Sequence, residues 1–273
     1  MSIIGIDSGA TLTRIWNGQG EVRRISTPRG YSDYLRFIAG ELRGDQPLES
    51  LVVALAAIVE RQRVTVAPNL EPDWVGQDFA GDLRKQLDIR GTVTLCQDTE
   101  AAGYGVQAHE LDDLDPTLLA TLSSGVGGAL VRSDTVEPLE VGHMVLNLSG
   151  ANRRCACGQL GCVEADLSGT GILAWRGQRA EQIEEPAFWQ DYGRQLGRFF
   201  LVVTVLFKLK QIVLIGGLST RAPLFLDEAR RELAASLVYV PLPVIRLARQ
   251  GDALGVVGAH RLAELQLVGR EKP

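Results

Sequence analysis

One histidine and three of the four cysteines of this chain fall between positions 143 and 162: His143, Cys155, Cys157 and Cys162. The segment reads Glu140-Val-Gly-His143, a short loop, then Cys155-Ala-Cys157-Gly-Gln-Leu-Gly161-Cys162-Val-Glu164. Three thiols and one imidazole complete a tetrahedral shell for Zn²⁺ and leave no position for a catalytic water, so the expected metal is structural. Glu140 and Glu164 flank the cluster. Two carboxylates held by one metal-bound loop suit a polyhydroxylated ligand. The competing reading is disulfides or merely clustered thiols. Cys155 and Cys157 are too close in sequence to pair comfortably, and nothing in the sequence marks secretion.

Composition narrows the classes. The 273 residues suffice for one large domain or two modest ones. A formal charge of −5 argues against a nucleic-acid surface, which needs clustered Lys and Arg. The opening Met1-Ser-Ile-Ile-Gly-Ile-Asp7 lacks the basic start and apolar stretch of a signal peptide. The longest apolar run, 199–207, is too short to span a bilayer. No membrane partner is expected. A cytoplasmic setting follows, where thiols stay reduced and available to metal.

The pattern is α/β throughout. Strands are expected at 3–7, 11–16 and 21–26, a helix at 31–42, a strand at 51–57, a helix at 77–87, a strand at 92–96 and a helix over 99–110 opened by Asp98. The series then restarts, with short strands at 118–123, 129–132 and 136–139. Helices at 168–179 and 188–209 come next, then a strand at 212–215, a helix at 223–237, a strand at 244–247 and a helix at 253–267. Three strands followed by alternating helix and strand, occurring twice, suggest two related halves. The acidic, proline-containing stretch 112–116 marks the expected boundary. It gives a first domain over 1–115, completed by the C-terminal helix 253–273, and a second over 116–252.

Three glycine turns suit phosphate. They are Asp7-Ser-Gly9-Ala-Thr11, Ser123-Ser124-Gly125-Val-Gly127-Gly128 and Gly216-Gly217-Leu-Ser219. Glycine lets backbone N–H groups approach an anion, and the hydroxyls of Thr11, Ser123 and Ser124 add donors. None matches the P-loop or the dinucleotide fingerprint. Singly, each is also an ordinary turn; together, at equivalent places in two halves, they suggest a nucleotide held between domains. Asp7 is a candidate for holding Mg²⁺ through water, or it caps its turn. Asp98 stands where a strand meets a helix. Alone it reads as an N-cap; beside phosphate loops and a polyol site it becomes a candidate general base for phosphoryl transfer to an alcohol.

These residues together resemble the ROK family (repressors, open reading frames, kinases), and most closely its sugar-kinase branch. Glu140-x-Gly-His143 with Cys155-x-Cys157-Gly-x-x-Gly-Cys162-x-Glu164 matches the family's zinc signature at each defining position. Asp7-x-Gly9-x-Thr11 and Ser124-Gly125-Val-Gly127-Gly128 are similar to its two phosphate motifs, Gly216-Gly217 to its adenosine motif, and 251–259 to its C-terminal stretch. The resemblance implies a two-lobed actin-like, RNase-H-like ATPase fold with mixed sheets, whose lobes close on the substrates. It implies Asp98 as catalytic base, with Gln97, Asp98, Glu140, His143 and Glu164 as sugar contacts. It also implies ATP with Mg²⁺ as phosphoryl donor, structural zinc, and a homo-oligomer, a dimer or dimer of dimers. Repressor members carry a helix-turn-helix ahead of this fold, whereas this sequence opens on the first strand.

The chain departs from the family at several places. Gln97 stands for the usual Asn, Ala10 and Ser123 replace glycines, and Ala129 replaces the last glycine of the second loop. The Pro-Gly loop expected after the 51–57 strand is absent; residues 57–63 lead almost directly to Pro68-Asn69-Leu70. That loop lines the sugar pocket in relatives, so sugar identity stays open. The expected activity is phosphorylation of a terminal hydroxyl of a hexose. The alternatives are an N-acylhexosamine kinase and a sugar- or nucleotide-binding protein of the same fold with weak turnover.

Overall fold

A computed structural model describes residues 2–9, 11–45, 47–66 and 70–268. Ala10, Pro68, Asn69 and the last part of the expected 253–273 helix segment, from 269 onward, lie outside the described residues. The chain forms two compact units, Met1–His109 with Ala253–Pro273, and Glu110–Asp252.

The first unit opens with β1 (Ser2–Ser8), β2 (Leu12–Trp16) and β3 (Arg23–Ser26), an antiparallel meander. Helix α1 (Tyr31–Glu41) leads to β4 (Leu48–Leu55), whose apolar run is buried on both faces as a central strand must be. A small hairpin, β5 (Ile58–Glu60) and β6 (Arg63–Val66), follows. It occupies the stretch where the sequence suggested only a direct connection. Helix α2 (Phe79–Arg84) precedes β7 (Ile89–Gln97) and α3 (Asp98–His109). The α2 helix starts two residues later than expected because Asp78 caps it, its carboxylate accepting the N–H of Gly81 at 3.2 Å, and it ends three residues earlier, where Gln86 N donates to Leu83 O at 3.0 Å. The sheet order is β3-β2-β1-β4-β7, with β1, β4 and β7 parallel.

Alternation along β4 divides the core. Leu51, Val53 and Leu55 pack with Tyr34, Ile38, Trp74 and Phe79 on one face. On the other, Val52 and Ala54 meet Ala101, Ala259 and Ala263.

The second unit repeats the plan. Strands β8 (Thr117–Leu122), β9 (Val126–Val131) and β10 (Val136–Leu139) form a meander. Two short helices follow, α4 (Val163–Leu167) and α5 (Gly169–Arg176). The helix expected over 168–179 is α5, capped at its start by Ser168, whose hydroxyl accepts the N–H of Gly171 at 2.9 Å, and ended at Gly177 with φ of +73°; α4 before it was not expected. Then come α6 (Pro186–Phe207), β11 (Gln211–Ile215), α7 (Ala222–Ser236) and β12 (Val244–Leu247). The order β10-β9-β8-β11-β12 matches the first sheet strand for strand, with β8, β11 and β12 parallel. Trp189, Phe199, Phe200 and Phe225 fill its core. Helix α8 (Leu254–Val268) returns to the first unit and packs on α3 and β1. No helix among the described residues is long and apolar enough to cross a membrane.

Candidate active site and metal centre

The four candidate metal ligands converge. One ligand atom from each of His143, Cys155, Cys157 and Cys162 lies within 4.8 Å of all the others. His143 Nδ1 is 3.8 Å from Cys155 Sγ, and Cys157 Sγ is 3.7 Å from Cys162 Sγ. A tetrahedron with Zn–S bonds of 2.3 Å has S–S edges of about 3.8 Å, whereas a disulfide needs about 2.05 Å. The thiols are free, and the donor set fits zinc.

The backbone builds this cage from two tight turns. Cys155 N donates to Gln159 O at 2.9 Å, Gly158 N to Cys155 O at 3.0 Å, and Gly161 N to Arg153 O at 2.8 Å. Gly158 and Gly161 hold φ of +96° and +75°, the left-handed region that side chains resist, which accounts for both glycines of the motif. Isolated bridges Val145 to Cys162 and Arg154 to Leu160 tie the loop together. Burial pushes the Cys155 thiol up to about 12 and raises that of Cys162. Burial also pushes Cys157 upward, but the Gln159 N–H and the neighbouring thiols outweigh it and leave Cys157 lowered.

A second anchor on this loop had no signal in the sequence. Arg153 Nη1 donates to Asp166 Oδ1 at 2.8 Å, and its guanidinium lies 3.7 Å from the Trp175 ring centroid. The fully buried Asp166 carboxylate also accepts the N–H of Ser149 at 3.1 Å. The loop is thus held to α4 and α5 independently of metal.

Glu164, on α4, reaches the second glycine turn. Its Oε2 accepts the N–H of Val126 at 2.9 Å, and its Oε1 lies 3.7 Å from Cys155 Sγ. The amide of Gly127 donates to Thr121 Oγ1 at 2.9 Å. Two amides of this turn therefore already have partners within the unit. Ser123 O and Ser124 O accept the N–H groups of Gly169 and Thr170 at 2.8 and 3.2 Å. Gly128 lies in β9, where a Cβ would stand 2.9 Å from Val141 Cγ2, a packing reason for glycine that is separate from phosphate. Glu140 caps the turn holding His143, whose N–H donates to Glu140 O at 3.0 Å. Gly216 ends β11 with φ of +100°, and a Cβ there would meet Leu122 O at 2.3 Å; one at Gly217 would meet nothing within 4 Å.

In the first unit, register gathers the other candidates at the carboxyl end of the parallel strands. Asp7 pairs with Ala54 and Ala54 with Cys96; Ser8, Leu55 and Gln97 form the next row. Asp98 follows immediately at the start of α3, two strands from Asp7 and so about 10 Å across the sheet. Functional groups collect at this end of parallel sheets. Asp98 is partly buried, and its Oδ1 accepts the N–H of Thr99 at 2.7 Å. That bond reaches the adjacent amide, one residue short of a helix cap's usual partners. Asp7 Oδ2 lies 3.4 Å from Arg14 Nη1, and Asp7 faces Gly255, where a Cβ would come within 2.8 Å of the carboxylate. Gly9 N donates to Leu12 O at 3.1 Å and closes the turn that carries Thr11. Glu100, two residues into α3 from Asp98, has its carboxyl raised by burial.

The comparisons agree with this architecture. The ROK family model matches residues 4–266. An N-acetyl-D-glucosamine kinase of Salmonella arizonae is 32% identical over 284 residues, 87% of this chain and 89% of that protein. A glucokinase of Streptomyces coelicolor is 24% identical, across 95% of this chain and 96% of its own. Among solved structures, a ROK family glucokinase from Streptomyces griseus in complex with glucose and AMPPNP shares the fold, with a TM-score of 0.76 and 22% identity over 97% of this chain and 100% of that one. The chain belongs to the ROK family.

Proposed function

We propose that this protein is an ATP-dependent sugar kinase that phosphorylates a terminal hydroxyl of a hexose or hexosamine. Its named relatives are sugar kinases that it matches along nearly their full length. The observation that carries the reading is Asp98, a partly buried carboxylate at the end of β7 in the sheet that also presents Asp7. Asp98 accepts the proton of the attacking hydroxyl as the new O–P bond forms and the bond to ADP breaks. The sugar contacts assigned on this reading are Gln97 and Asp98, at the junction of β7 and α3, and Glu140, His143 and Glu164, around the thiol cluster. To the nucleotide we assign Asp7, Gly9, Thr11, Ser124, Gly125, Gly127, Gly128, Gly216 and Gly217.

Mg²⁺ accompanying ATP would neutralise charge on the transferred group, and Asp7 offers the oxygen ligands such an ion takes. Zinc held by His143, Cys155, Cys157 and Cys162 would act structurally, fixing the loop that bears Glu140 and leads to Glu164. The reading also includes a cytoplasmic homo-oligomer, to be weighed by light scattering. The deciding experiment is a coupled ADP-release screen over hexoses, hexosamines and their N-acetyl forms. Turnover on at least one is expected. None, alongside clear sugar or ATP binding, would replace the kinase with a sensor.

A further inference from the structure

The hairpin β5–β6 turns on Arg61 and Gln62, whose φ angles are +48° and +64°. Two consecutive left-handed residues make a turn normally given to Asn-Gly, because a side chain there costs energy. Such strain persists where the surroundings hold it and where it serves a purpose. Here it brings the Gln62 amide against β7: Oε1 accepts the N–H of Leu95 at 2.7 Å, and Nε2 donates to Leu95 O at 3.3 Å.

Among the described residues β7 is the outer strand of its sheet, and no described strand pairs with these groups of Leu95. The Gln62 side chain supplies both bonds a further strand would make at this residue. Leu95 precedes Gln97 by two positions and Asp98 by three. The clasp therefore grips the end of the strand that carries both.

We propose that Gln62 is a positioning residue for phosphoryl transfer, pinning the end of β7 so that Gln97 and Asp98 meet the acceptor sugar in a fixed place. This rests on the reading of Asp98 as the base. Gln62 is itself exposed, so water reaches Leu95 once the amide is gone, and its loss loosens the strand without unfolding it.

The test compares Gln62→Met, which keeps length and removes both bonds, with Gln62→Glu, which keeps the acceptor for Leu95 N–H. Arg61→Asn serves as the control that improves the turn and leaves the clasp intact. Gln62→Met is expected to lower kcat roughly tenfold, short of the hundredfold that a misplacement of about 1 Å can cost. KM for ATP should hold, Leu95 amide exchange should quicken, and calorimetric sugar affinity should weaken through Gln97. Gln62→Glu should recover part of kcat, and Arg61→Asn should keep it all. Wild-type kcat and sugar affinity in Gln62→Met, or an equal loss in Arg61→Asn, overturns the proposal. Asp98→Asn, assayed in parallel, separates the two ideas. If it retains turnover, the base assignment fails; if it loses turnover and Gln62→Met does not, only the role of Gln62 fails.

Discussion

Glu164 accepts a hydrogen bond from the amide of Val126 at 2.9 Å, while its other oxygen lies 3.7 Å from Cys155 Sγ. One carboxylate therefore joins a glycine turn expected to meet phosphate to the thiol cluster expected to hold metal. A Cβ at Gly125 would stand 2.7 Å from Oε2, the oxygen that accepts the Val126 N–H, so this turn and α4 are packed to contact. Disturbance of the metal cage has a direct route to the turn.

Zinc is expected at one ion per chain, by elemental analysis of untagged protein. Binding requires thiolates, and burial pushes Cys155 up to about 12, so uptake should release protons and affinity should fall as pH falls. Calorimetry in buffers of different ionisation enthalpy measures the release. Cys157→Ser or chelation should lower Tm and weaken sugar binding together. Unchanged sugar affinity in zinc-free protein would detach the metal from Glu140 and Glu164.

The Arg153–Asp166 pair supplies the metal-independent part of the same loop's stability. Arg153→Ala leaves the buried Asp166 without its cation, a change that typically costs about 3 kcal/mol. Stacking on Trp175 is lost with it. Denaturant unfolding of Arg153→Ala should show this loss with zinc still bound. A change below about 0.5 kcal/mol, the size of an ordinary surface substitution, would mean the pair is not a clamp.

The sequence made the repeated plan legible because each half carries a meander followed by alternating helix and strand, and apolar runs such as 51–55 read plainly as buried strands. The clustering of His143 with the three thiols was legible because glycines and cysteines fall within one short segment, so local geometry decides it. The hairpin at 58–66 was not. Arg61 and Gln62 are poor turn formers, and the bonds that hold Gln62 come from Leu95, more than thirty residues away. The Arg153–Asp166 pair was equally hidden, since neither residue sits in a recognisable pattern. The helix start at Ser168 was legible from its capping serine, whereas the single turn of α4 before it, five residues long, is too short to show a helical period.

Nucleotide binding should depend on Gly127 and Gly216 for different reasons. Gly127→Val is expected to abolish binding of a non-hydrolysable ATP analogue while zinc content stays unchanged. Gly216→Ala should also lower stability, by about 1–3 kcal/mol, since its φ is +100° and the new Cβ would meet Leu122 O at 2.3 Å. Titration calorimetry on both variants decides the matter. Wild-type affinity in Gly127→Val would move the phosphates away from this turn.

Asp98→Asn bears on whether the carboxylate acts chemically. The variant keeps an oxygen able to accept the Thr99 N–H, the 2.7 Å bond that Oδ1 makes, so the start of α3 should hold its geometry and Tm should shift little. An amide accepts a hydrogen bond from a sugar hydroxyl, so sugar affinity should change by only a few-fold. It does not take up the proton. General-base contributions are typically about 10²- to 10⁴-fold, so kcat should fall at least roughly a hundredfold. A residue serving only to close the helix would tolerate Asn with almost no effect on rate, because Asn caps as well as Asp. Stopped-time assays of the variant at saturating sugar and ATP separate these outcomes, and turnover near that of the wild type would remove Asp98 from the chemistry.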